Sequence, residues 1–187
     1  MSLNLKRRFA TALWYLKASL AMRRARADSS RRVAVAVPCN ILVVCYGNIY
    51  RSAFVAEYLR THLDSRMVVR SAGFHPEGGR SSPDRHVLMC EELGVQLADH
   101  RSSVIVPTNL QWAGLIVLMD RSNWIQLRRM GAPEEKLVWL GAWASGGDLE
   151  VADPYRLDDS AARRELDRIY ECSRAMTNAI SRAMGNR

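Results

Sequence analysis

The chain has 187 residues, of which 48% are hydrophobic and 25% charged, with a net charge of +8. That is the size of one domain with an extension, long enough to bury a proper core, and it holds no internal repeat or low-complexity stretch. Four scattered cysteines (Cys39, Cys45, Cys90, Cys172) show neither metal spacing nor a disulfide framework, so reduced thiols in a cytoplasmic setting fit best.

The charge is concentrated at the start of the chain. Residues 1–33 carry nine basic side chains (Lys6, Arg7, Arg8, Lys17, Arg23, Arg24, Arg26, Arg31, Arg32) against Asp28 alone, which accounts for the whole +8 and leaves residues 34–187 formally neutral. Leu5, Phe9, Leu13, Leu16 and Leu20 recur at spacings of 4, 4, 3 and 4, one stripe of a helix at about 100° per residue. Lys17 interrupts the apolar run too soon for a cleaved signal or a membrane span. Three readings of this arm stay open. It suits a transit peptide, contact with an anionic membrane surface, or a helix packed on protein and followed by a disordered linker through Arg26–Arg32. Nucleic acid trails, because phosphate contacts alone give only non-specific binding. The arm is expected to localise the protein and to add little to its chemistry.

The rest of the chain alternates strand and helix. Apolar runs at 41–44, 67–69, 115–119 and 136–140 predict strands. Helices are predicted over 52–63, over 83–93 with Ser82 as cap and Gly94 as stop, and over 122–130 with Gly131 as stop. A helical turn at 107–112 and a long helix over 159–183 complete the pattern. Strands separated by helices imply right-handed crossovers and an α/β fold, a parallel sheet covered on both faces. The expected division is a basic amphipathic extension over 1–33 and a body over 38–185.

Val43-Val44-Cys45-Tyr46-Gly47-Asn48-Ile49-Tyr50-Arg51-Ser52 is the most informative segment. A buried strand here feeds a tight loop and then a helix. Inward amides and a helix dipole of roughly +0.5 charge make that junction an oxyanion site. A cysteine at its lip has its thiolate stabilised. Arg51 offers a planar fork to two oxygens of a tetrahedral anion. Gly47 permits close backbone approach and Asn48 tolerates a left-handed conformation. Ser52 either caps the helix or donates its hydroxyl to Cys45. Ligands of parallel sheets bind beyond the carboxyl ends of the strands, where this loop falls. These residues point to phosphate-ester chemistry through a cysteine. Displacing an alkoxide or phenoxide also needs a proton donor, and Asp153 is the candidate. Asp158 and Asp159 read instead as the cap region of the last helix. Ala144-Ser145-Gly146-Gly147 is a flexible run suited to a loop that delivers Asp153.

The Cys45 loop resembles that of the low-molecular-weight protein tyrosine phosphatases, V-C-x-G-N-I-C-R-S, except for Tyr50 where a second cysteine usually stands. Ser71-Ala72-Gly73, Asp153-Pro154-Tyr155, and the stretch from Gly94-Val95 to His100-Arg101-Ser102 are similar as well. The resemblance runs from about Asn40 to Met184. It implies a flavodoxin-like, doubly wound sheet of four parallel strands flanked by helices. It also implies hydrolysis of phosphotyrosine in proteins, with Cys45 as nucleophile, Arg51 as phosphate clamp and Asp153 as general acid and base. Asn48, Ser71 and His100 are expected to form a hydrogen-bond network that holds the loop. Tyr46, Gly47, Ile49, Tyr50 and Ser52 complete the loop, and Tyr46 and Tyr155 line the substrate pocket. Tyr155 is placed to stack on an aromatic leaving group. No cofactor or metal is implied, and His75 and His86 have no comparable claim. Cys90 and Cys172 read as core thiols.

Two departures from the family pattern carry consequences. Tyr50 removes the disulfide that protects the nucleophile in some relatives. Tyr46 and Arg156 stand where relatives often have an aliphatic and an aromatic residue, which implies acidic or smaller substrate surroundings. Three competing functions are arsenate reduction on the same scaffold, phosphoarginine hydrolysis, and a catalytically silent binding module targeted by its basic arm. The first needs two shuttle cysteines, and Cys90 has no partner near it. The second resembles a branch with threonine in place of Ile49. Intact Cys45, Arg51 and Asp153 argue against the third. The expected partners are a phosphotyrosine protein, a bacterial tyrosine kinase of polysaccharide export being one class, and an anionic membrane surface met through residues 1–32. The expected location is cytoplasmic, peripheral at the inner membrane face.

Overall fold

Runs of apolar residues too long to alternate fold here as strands buried on both faces, as a parallel sheet requires. The computed structural model describes residues 3–144 and 147–185, with side chains in the first helix described from Ala10 onward. The strands are β1 (Ile41–Cys45), β2 (Val69–Gly73), β3 (Leu115–Leu118) and β4 (Leu137–Trp139), all parallel, in the order β2-β1-β3-β4. The helices are α1 (Leu3–Ala36), α2 (Arg51–His62), α3 (Asp84–Glu91), α4 (Pro107–Trp112), α5 (Arg121–Arg129) and α6 (Asp159–Gly185). Successive strand residues point to opposite faces and fill two cores. Ile41, Val43 and Val117 pack with Phe54 and Leu59 of α2 and with Ile169 and Met176 of α6. Leu42, Val44, Ile116 and Leu118 pack with Leu110 of α4 and with Trp124 and Leu127 of α5. The fold is a doubly wound α/β sheet of four parallel strands.

The element boundaries differ from the sequence pattern where tertiary contacts outweigh local signals. β2 begins at Val69, so most of it is the polar and small Arg70-Ser71-Ala72-Gly73, because an edge strand is not enclosed on all sides. α3 starts at Asp84 with Pro83 as its cap residue, and the buried Ser82 hydroxyl has no hydrogen-bond partner among the described residues. α2 starts at Arg51, so Ser52 lies inside its first turn and its hydroxyl is directed at Cys45. Asp158 caps α6 by accepting from the Ala161 N–H at 2.8 Å.

The largest difference concerns the N-terminal segment. α1 is helical straight through Arg26–Arg32, where a disordered linker was one reading, and it is packed against the body. Its inward face carries Ala18, Ala25, Ser29 and Val33, all at most 1% exposed. Trp14 meets Trp124 of α5 edge-on, with ring centroids 6.4 Å apart. Ala18 and Ala25 lie in the core on the α5 side of the sheet, while Val33 lies in the core on the α6 side, so the helix crosses over the β4 edge. There Arg32 Nη1 donates to the Leu137 carbonyl at 2.6 Å, and the Trp139 N–H donates to Ser29 Oγ at 3.2 Å. These are the outward-facing backbone groups of an edge strand, which would otherwise template unwanted pairing. α1 is therefore the cover of that edge.

Ser29→Ala should leave the buried Trp139 amide without an acceptor and cost about 1–3 kcal/mol of unfolding free energy. Urea denaturation of the two proteins measures this, and an unchanged midpoint would mean that α1 does not cover β4 in solution.

Candidate active site

Cys45 is the last residue of β1, and the chain turns at once into α2, whose cap residue Tyr50 makes no side-chain capping bond. The first amides of a helix have no intrahelical partner, so an uncapped start is suited to an anion. The Cys45 thiol is buried at 2% exposure and has two close partners. Its Sγ lies 3.0 Å from Ser52 Oγ and accepts from the Asn48 N–H at 3.2 Å.

Asn48 is the hub of the loop. It is fully buried and has φ of 52°, the left-handed conformation anticipated for it. Its Nδ2 donates to Ser52 Oγ at 2.9 Å and its Oδ1 accepts from the Ser103 N–H at 2.8 Å. His100 Nε2 stands 2.7 Å from the Asn48 carbonyl. Burial lowers the His100 pKa. Ser71 is placed differently. No hydrogen bond among the described residues joins its side chain to Asn48, and the Ser103 backbone fills that role. Gly73, rather than Gly47, is the sterically required glycine. A Cβ there would stand 2.6 Å from the Tyr46 carbonyl oxygen and 2.9 Å from the Asn48 nitrogen, whereas one at Gly47 would meet nothing nearer than 3.4 Å. The small residues ending β2 let the loop lie flat against that strand.

Arg51 is 2% exposed, which makes it a buried cation that must be paired. Nη1 donates to Asp120 Oδ2 at 2.7 Å and to the Val151 carbonyl at 2.9 Å, and Nη2 donates to Asp153 Oδ2 at 2.5 Å. Burial alone would lower its pKa, but the charges of Cys45, Asp153 and Asp120 outweigh that and raise it. Nε is buried with no partner among the described residues, a donor left over beside the two carboxylates. Asp153 is also the cap of the turn Pro154–Arg156, its Oδ1 accepting from the Tyr155 N–H at 3.2 Å.

Beside this network is a cavity of about 390 Å³. Cys45 and Asp153 lie on its wall with Tyr46, Gly47, Ile49, Tyr50 and Tyr155, and His75, Arg80 and Arg156 complete the lining. Several of these residues carried no signal in the sequence. Asp120, which pairs with Arg51, is also the cap of α5, accepting from the Asn123 N–H at 2.8 Å. Arg80 Nη2 donates to the Gly47 carbonyl at 2.5 Å. His75 meets Tyr46 edge-on with centroids 5.8 Å apart. His86 lies 4.6 Å from the Tyr50 ring, and burial pushes its pKa down to about 4. Among the described residues no cluster of His, Cys, Asp and Glu is arranged to hold a metal.

The other thiols are poorly placed to resolve an oxidised Cys45. Burial pushes Cys90 up to about 12 and Cys39 up to about 11, and Cys172 is fully buried in the core. Tyr50 occupies the position at which a loop partner would stand, its ring packed on His86. Mild peroxide should therefore carry Cys45 past the sulfenic acid to the irreversible sulfinic acid, with poor recovery by dithiols. Full recovery through a mapped disulfide from Cys45 to Cys39 or Cys90 would contradict this.

The comparisons with known proteins agree with this geometry. The sequence pattern described as "Low molecular weight phosphotyrosine protein phosphatase" matches residues 40–185. The probable low molecular weight protein-tyrosine-phosphatase AmsI of Erwinia amylovora is 28% identical over 76% of this chain and 98% of its own. Its crystal structure superposes with a TM-score of 0.69, covering 76% of this chain and 93% of that one at 28% identity. The protein-arginine-phosphatase of Geobacillus stearothermophilus is 31% identical over 72% of this chain and 93% of its own. The low molecular weight protein-tyrosine-phosphatase Wzb of Escherichia coli K12 is 33% identical over 63% of this chain and 78% of its own. With the pattern matched across the sheet, the Cys45 loop and the Asp153 turn, the chain belongs to the low molecular weight phosphotyrosine protein phosphatase family.

Proposed function

We propose that the protein hydrolyses phosphotyrosine in proteins through a phosphocysteine intermediate. One observation carries this reading. Residues far apart in the chain, Cys45 and Asp153, line one cavity whose walls include Tyr46, Tyr50 and Tyr155, and Arg51 is bonded to Asp153. Cys45 Sγ attacks phosphorus while Arg51 and the first amides of α2 hold the non-bridging oxygens. Asp153 gives a proton to the leaving phenolic oxygen as the P–O bond breaks. Water then attacks phosphorus, Asp153 takes its proton, and the P–S bond breaks to release inorganic phosphate. Ser52, 3.0 Å from Sγ, supports the departing thiolate. The aromatic walls suit a planar leaving group, and Arg80 and Arg156 at the rim favour acidic residues beside it. A bacterial tyrosine kinase bearing phosphotyrosine is the partner class that follows from the resemblance.

Phosphoarginine is the competing substrate, since one of the relatives is named for it. Ile49 on the pocket wall and the tyrosine-rich lining favour the aryl ester. A phosphotyrosyl peptide should be turned over, and Cys45→Ser should fold normally and lose nearly all turnover. Asp153→Asn should slow poor leaving groups far more than good ones, out of a total contribution of about 10²–10⁴-fold. Faster release of phosphate from phosphoarginine, or retained activity in Cys45→Ser, would overturn the reading.

We also propose that α1 meets an anionic membrane surface through its outward face. Leu13, Leu16 and Leu20 are 51%, 57% and 51% exposed. Each stands nine residues, about 180° of helix, from an inward-facing residue: Met22, Ala25 and Ser29. Lys17, Arg24 and Arg31 are exposed along the same outward side. The side chains of Leu5 and Phe9 lie outside the described residues. No described helix is long and apolar enough to cross a membrane. Each cation near an anionic surface is worth about 1 kcal/mol, and each buried CH₂ about 0.8 kcal/mol, so attachment is reversible and salt-sensitive. Leu16→Asp with Leu20→Asp should abolish binding to phosphatidylglycerol vesicles at low salt and leave turnover of small aryl phosphates intact. Equal binding by both proteins, or none by the wild type, would remove the membrane from the account.

A further inference from the structure

The stretch that carries Asp153 has little regular structure of its own, and helices on either side hold it by its carbonyls. Arg168 of α6 donates Nη1 to the Glu150 carbonyl at 2.7 Å, and Nη2 to that of Asp148. Arg121 of α5 grips the Glu150 carboxylate, with Nε 2.9 Å and Nη2 2.7 Å from Oε2. The Val151 N–H donates to the Met119 carbonyl at 2.8 Å, and the Ala152 N–H to Glu165 Oε1 at 2.8 Å. Arg51 adds its bonds to the Val151 carbonyl and to Asp153 itself, and a further anchor comes from α1, which lies outside the segment matched by the family pattern.

Arg26 Nη1 donates to the carbonyls of Ala142 at 3.1 Å and Ala144 at 2.7 Å, and Nη2 donates to that of Gly147 at 3.2 Å. The guanidinium thus bridges the outgoing limb of the loop, at 142 and 144, and the returning limb, at 147. Its post is firm, because the neighbouring Ala25 and Ser29 are 1% and 0% exposed. A guanidinium spreads its donors over a rigid planar fork, whereas an ammonium offers its donors from a single point.

We propose that Arg26 is a positioning residue for Asp153, so that the N-terminal helix is a working part of proton delivery. This rests on the assignment of Asp153 as general acid. Releasing the two limbs lets the acid drift from the leaving oxygen, and proton transfer is steeply sensitive to such displacement. The Cys45 loop and Arg51 have their own supports and keep their hold on phosphate.

The test is Arg26→Met in the full chain, which keeps the apolar stem and removes the donors, with Arg26→Lys beside it. The value of kcat/KM is measured for aryl phosphates of rising leaving-group pKa. The loss should grow from almost none for nitrophenyl phosphate to roughly tenfold for phenyl phosphate, with Lys intermediate and inhibition by inorganic phosphate unchanged. In an Asp153→Asn background Arg26→Met should add no further loss. A uniform loss across the series, no loss at all, or the same loss in the Asp153→Asn background would overturn the proposal. If Asp153→Asn itself shows no dependence on leaving group, the fault lies in the assignment of the acid. Should Arg26→Met fail to fold, Arg26→Lys keeps the charge and carries the same comparison.

Discussion

A cation enclosed by protein has to be neutralised where it stands, and Arg51 imposes that condition on the whole active face. An unpaired buried guanidinium would cost several kcal/mol. Its partners come from three places: Cys45 at the end of β1, Asp120 at the end of β3, and Asp153 with the Val151 carbonyl on the late irregular stretch. The carboxyl ends of two adjacent parallel strands and the acid-bearing turn therefore converge on one group. The arrangement that stabilises the resting cation is also the arrangement needed for the chemistry. An incoming phosphate dianion takes over part of the charge pairing, and Asp153 is then at hand to exchange a proton.

The second constraint is the exposed edge of β4. Ser29 and Arg32 satisfy its outward backbone groups, which ties α1 to the sheet along one face. The other face of the same helix presents leucines and cations to the outside. From the apolar stripe alone, packing on the body and contact with a membrane are alternatives. The packed side and the proposed membrane-facing side are opposite sides of one helix, so the two readings are compatible. Leu13, Leu16 and Leu20 face out, while the part of the helix over β4 packs through the small Ala25 and Ser29, because close approach to a strand edge favours small side chains.

What was legible in the sequence was what is contiguous in it. Cys45, Asn48, Arg51 and Ser52 lie within one turn and one loop, so their types and spacing reveal their chemistry directly. The buried strands β1 and β3 were legible as apolar runs for the same reason. β2 was harder, since an edge strand can be polar, and its Gly73 matters only because the Tyr46–Asn48 backbone lies against it. Asp120, Arg80 and His86 were invisible as site residues because chain segments remote from the loop bring them there. Arg26 was counted among the charges of an appended arm. Its contacts reach across more than a hundred residues to Ala142, Ala144 and Gly147, a distance no periodicity reports.

The account turns on a covalent bond between Cys45 and phosphorus. Turnover of a phosphotyrosyl peptide, stopped by rapid denaturing quench and followed by peptide mass analysis, tests it most directly. The account predicts one phosphoryl group on the peptide containing Cys45, forming and decaying at rates that match steady-state turnover. A phosphoryl group found on any other residue, or none on the protein while phosphate is being released, would contradict it.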